Sequence, residues 1–61
     1  MCEFKVFLSG QLVFEDVVYA KLQGSDLVLR DVLGSQKIIP CARIVEVNVS
    51  SETLLVEGVS T

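Results

Sequence analysis

Two cysteines offer the most chemistry in this chain, and they sit in different settings. Cys2 lies ahead of Glu3-Phe4-Lys5-Val6-Phe7-Leu8. Phe4, Val6 and Leu8 alternate with Glu3 and Lys5, the period of a half-buried strand, and Cys2 is in phase with the apolar set. Cys41 follows Pro40. There is no histidine, so the usual general base and the commonest metal ligand are missing. No Ser or Cys therefore has a histidine to activate it. The four glycines are scattered and build no phosphate loop. Paired carboxylates occur only as the neighbours Glu15-Asp16. Neighbours on a strand point to opposite faces, which suits a polar bend better than an acid–base couple. This inventory argues against an enzyme.

Free cysteines are among the most buried residue types, so Cys41 is expected as a small core or corner residue. Cys2 leaves two readings open. In the first it caps the core at the open end of its strand. In the second it binds a metal. Removal of Met1 would leave a thiol and an amine on one residue, which form a five-membered chelate. The Glu3 amide would extend this to a nitrogen–sulfur set suited to square-planar Ni²⁺ or Cu²⁺. With Met1 retained, the thiolate alone remains. In a C2 dimer whose axis passes near the first strand, two Cys2 thiolates would meet.

The elements that position these thiols must come from 61 residues, read as one domain over 1–61. A core of this size rarely supplies more than about 3–5 kcal/mol, so a staple is expected. Half of the residues are hydrophobic, a surplus for so small an interior, and a homodimer interface is the simplest place for it. Net charge is −3, with Lys5, Lys21, Arg30, Lys37 and Arg43 spread singly. Nucleic-acid binders usually cluster such charges, so nucleic acid is disfavoured as a partner. No apolar run approaches the ~20 residues that span a bilayer. No secretory segment is visible, and the expected location is cytoplasmic, where two cysteines read as free thiols or metal ligands.

Strand signals follow one another along the chain. The first strand is expected over Glu3–Ser9, with a turn at Ser9-Gly10. Leu12-Val13-Phe14 begins a second, Glu15-Asp16 marks a bulge or sharp bend, and Val17–Gln23 resumes. Gly24-Ser25 suits a type II′ hairpin. That turn fixes a register: Gln23 opposite Asp26, Leu22 opposite Leu27, Ala20 opposite Leu29, Lys21 opposite Val28, and Tyr19 opposite Arg30. Arg30 then lies over the Tyr19 ring. Gly34-Ser35 is expected as a second turn of the same kind, joining Leu27–Leu33 to Gln36–Ile39. Pro40 ends that strand and Cys41-Ala42 is a tight connection. Arg43–Val49 is a β-branched run with Val45, Val47 and Val49 in phase. Ser50-Ser51-Glu52 turns the chain into Thr53–Glu57, and Gly58–Thr61 is a fraying tail. No helical period appears. The expected fold is all-β: a small closed or half-closed barrel, SH3-like or Sm-like, of five to six short antiparallel strands, homodimeric. An open meander paired across a dimer is the alternative.

These residues resemble the CooT family of small nickel-binding proteins, associated with maturation of nickel-containing carbon monoxide dehydrogenase. The resemblance runs from Met1-Cys2-Glu3 and the following strand through Phe14-Glu15-Asp16-Val17 and Leu22-Gln23-Gly24-Ser25-Asp26. It continues over Leu29-Arg30-Asp31-Val32-Leu33-Gly34, Arg43-Ile44-Val45-Glu46-Val47 and Leu54-Leu55-Val56-Glu57. Only the opening Met-Cys is chemically specific. The resemblance implies a homodimer that binds Ni(II) through Cys2, carries or inserts nickel as a metallochaperone, and catalyses nothing itself. Its partners would be a nickel enzyme or the maturation factors of one. Nothing in the resemblance reaches Cys41. The missing His-rich tail favours one site per dimer over bulk storage. Two alternatives stand beside this: a metal-independent RNA- or protein-binding barrel, and a redox sensor using a Cys2–Cys2 disulfide between subunits. Acidic charge and the lack of clustered aromatics argue against RNA, and Phe7, out of phase on its strand, reads as interface packing.

Overall fold

The computed structural model describes residues 2–59 and is built from strands alone. Six are present: β1 (Phe4–Leu8), β2 (Gln11–Gln23), β3 (Asp26–Asp31), β4 (Gln36–Ile39), β5 (Ala42–Asn48) and β6 (Thr53–Gly58). They form one sheet in the order β4-β3-β2-β1-β6-β5. The all-β expectation holds, and the closed barrel does not. β4 and β5 are the two edges of the sheet and share no ladder. They are consecutive in the chain, so the sheet coils until they meet at one corner, Pro40-Cys41. The backbone groups of that corner have other partners. Ala42 N donates to Ser25 O at 2.9 Å, and Cys41 O accepts from Val59 N at 2.7 Å. Pro40 has no N–H to offer a neighbouring strand.

Two further expectations are corrected. The strands are not all antiparallel, because β6 returns to lie parallel to β1, with Val6 opposite Leu54 and Leu8 opposite Val56. Nor are they all short, because the strand that begins before Glu15-Asp16 and resumes after it, β2, runs for 13 residues. The expected irregularity is there. The β1–β2 register shifts between Phe4/Val17 and Val6/Phe14, and Asp16 has φ +57°. The bend lets the first half of β2 pair with β1 and the second half with β3. Asp16 O also accepts from Val32 N at 3.0 Å, which ties the bend to the end of β3.

The β2–β3 hairpin has the predicted register at every position named, from Tyr19/Arg30 to Gln23/Asp26. Gly24 has φ +63° while Ser25 is not in the left-handed region, the pattern of a type II′ turn. Arg30 Cζ lies 4.5 Å from the centre of the Tyr19 ring. The second hairpin differs from expectation. β3 stops at Asp31 because the Asp31 carboxylate accepts from Leu33 N (3.0 Å) and Ser35 N (2.8 Å). Gly34 N donates to Asp31 O and Asp31 N to Ser35 O, so Val32-Leu33-Gly34 is a three-residue loop with Gly34 at φ +90°.

The core takes at least one side chain from every strand: Val6, Val17, Leu27, Leu29, Ile39, Ala42, Leu54 and Val56. β3 and β5 face one another across it. A bulge between Ile44/Val56 and Glu46/Leu55 makes Val45 an extra residue, so Val45 is out of phase with Val47 rather than in phase. Gly58 and Val59 are held by β5 and by Cys41. The expected fraying of Ser60 and Thr61 falls outside the described residues. No helix among the described residues is long and apolar enough to cross a membrane.

Candidate metal centre

Cys2 is exposed and belongs to no strand, since β1 begins at Phe4. The strand expected over Glu3–Ser9 runs from Phe4 to Leu8, one residue shorter at each end. Phe4 is the first side chain of the segment to pack on the core, and Val6 is fully buried. Cys2 does not cap the core.

The Cys2-Glu3 lead is tied to the turn between β5 and β6. Lys5 N donates to Glu52 O at 2.9 Å, and Glu3 N donates to the Glu52 carboxylate (Oε2) at 3.3 Å. That turn is well braced. Glu52 N donates to Val49 O (3.2 Å), Ser51 N donates to Asn48 Oδ1 (3.1 Å), and the Ser51 and Thr53 hydroxyls lie 2.8 Å apart. Nothing in the sequence marks Glu52. Its contact spans 49 positions of the chain, and no local pattern encodes that.

Cys41 is also exposed, against the expectation of a core residue. Its φ is +50°, and the buried neighbour at this corner is Ala42. The corner half of the expectation holds. Cys41 lines a shallow hollow with Leu22, Ser25, Arg43 and Val59. Arg43 itself pairs with Glu57, Nε to Oε1 at 2.6 Å, on the surface. Glu15 and Asp16 are exposed at the β2 bend, and Asp31 closes its loop, so the acidic residues near the bend serve turns. Among the described residues no three of His, Cys, Asp and Glu gather closely enough to hold a metal ion. One chain by itself therefore presents a thiol, a nearby carboxylate and backbone groups.

The region beside the lead is apolar. Phe4, Val18, Ala20, Ile44, Val47 and Leu54 line an open groove, with Tyr19 at its side. Val47 is 56% exposed and Val18 is 42% exposed. A buried core cannot use these side chains, so the hydrophobic surplus of the composition lies on the surface.

These features define a small all-β domain with an exposed thiol two positions ahead of Phe4, which lines an apolar groove. The sequence profile described as "CO dehydrogenase accessory protein CooT" matches residues 1–57, and the chain belongs to the CooT family. A crystal structure assigned to CooT from Carboxydothermus hydrogenoformans superposes with a TM-score of 0.86 at 24% identity, covering 97% of this chain and 100% of that one. At that identity the likeness speaks for the fold. No curated protein sequence matches the chain.

Proposed function

We propose that this protein holds Ni(II) through Cys2 and passes it on during maturation of carbon monoxide dehydrogenase. The observation that carries the reading is the placement of Cys2: a free, exposed thiol ahead of β1, with no part in the core. Membership of a family of carbon monoxide dehydrogenase accessory proteins supplies the client. Thiolate suits a late first-row ion such as nickel, and a backbone amide beside it suits a square-planar geometry. The donor set of one chain is too small for a closed site, which fits cargo that must be released.

The second half of the donor set comes from a second copy. A C2 dimer that covers the apolar groove beside Phe4 would bring two Cys2 residues towards the axis and bury the exposed Val18 and Val47. Each dimer then carries one nickel, in a reducing compartment that keeps both thiols free. The protein is a carrier and performs no catalysis. The groove serves the dimer, and a net charge of −3 with Arg30 over Tyr19 and Arg43 paired to Glu57 argues against a nucleic-acid surface.

The test is an anaerobic Ni²⁺ titration of the reduced protein, followed by thiolate-to-nickel absorption, with sedimentation to fix the oligomeric state. Saturation at one nickel per two chains is expected, lost in Cys2→Ala and kept in Cys41→Ala. Binding that survives Cys2→Ala would refute the site. A covalent dimer that reductant dissolves, with no nickel uptake, would make Cys2 a redox sensor instead.

A further inference from the structure

We draw no further inference here: the strongest candidate, the hollow at the β2 bend lined by Leu12, Phe14, Glu15, Asp16 and Asp31, is an acidic cluster near the exposed Leu33 loop, and nothing in the structure shows what covers it.

Discussion

Replacing Cys41 with glycine should stabilise the fold, although it deletes a side chain. Cys41 sits at φ +50° on the corner between β4 and β5, exposed. An L-residue in that region is strained by about 1–2 kcal/mol relative to glycine. Glycine also makes the unfolded chain freer, which offsets about 0.4–1 kcal/mol. The net gain is about 0.5–1 kcal/mol. The backbone bonds of the corner, Ala42 N to Ser25 O and Cys41 O from Val59 N, do not depend on the side chain. For a domain of this size each kcal/mol moves the melting temperature by about 4–8 °C, so Cys41→Gly should melt about 2–8 °C higher. Cys41→Ala keeps the Cβ and should melt close to the wild type. Both are compared by thermal circular dichroism under reductant and at one protein concentration, because self-association makes the midpoint concentration-dependent. A Cys41→Gly midpoint several degrees below the wild type would refute the reasoning. The thiol would then be packed in the core, as the sequence suggests, and the corner would not be strained.

Leu29 is fully buried in β3. Leu29→Ala should cost about 3–5 kcal/mol, which is comparable to the whole stability of a core this small, so its far-UV circular dichroism should show a largely unfolded chain at room temperature. Asp31→Ala removes the acceptor for Leu33 N and Ser35 N. Both amides are at the surface and water replaces the carboxylate, so urea unfolding should show a loss of about 1 kcal/mol with an unchanged slope.

Local chemistry carried the hairpins and the bend into the sequence. Gly24-Ser25 sets a register by itself, so the partners from Tyr19 to Arg30 follow without knowledge of the fold. Glu15-Asp16 breaks an apolar pattern, and the break coincides with the shift in β1–β2 pairing. The Gly34-Ser35 hairpin departs from a two-residue turn because the Asp31 side chain competes with the ladder and ends the strand early. A carboxylate can do this at many positions, and alternation does not reveal where. For Cys41 the corner placement holds and the burial does not: residue type argues for burial, while the residue stands exposed at a left-handed corner.

The sequence by itself determined the all-β class, most strand positions and the Tyr19–Arg30 contact, because these rest on period, turn residues and neighbours across one tight loop. The presence of Cys2 was legible too. Only the tertiary structure decided that β6 lies parallel to β1 and that β4 and β5 remain edges of an open sheet. Only it decided that the Glu3 amide meets the turn at Glu52. Those facts depend on pairings between residues about 50 positions apart, such as Lys5 with Thr53. Chain alternation tells which face a residue prefers and says nothing of which distant strand it will join.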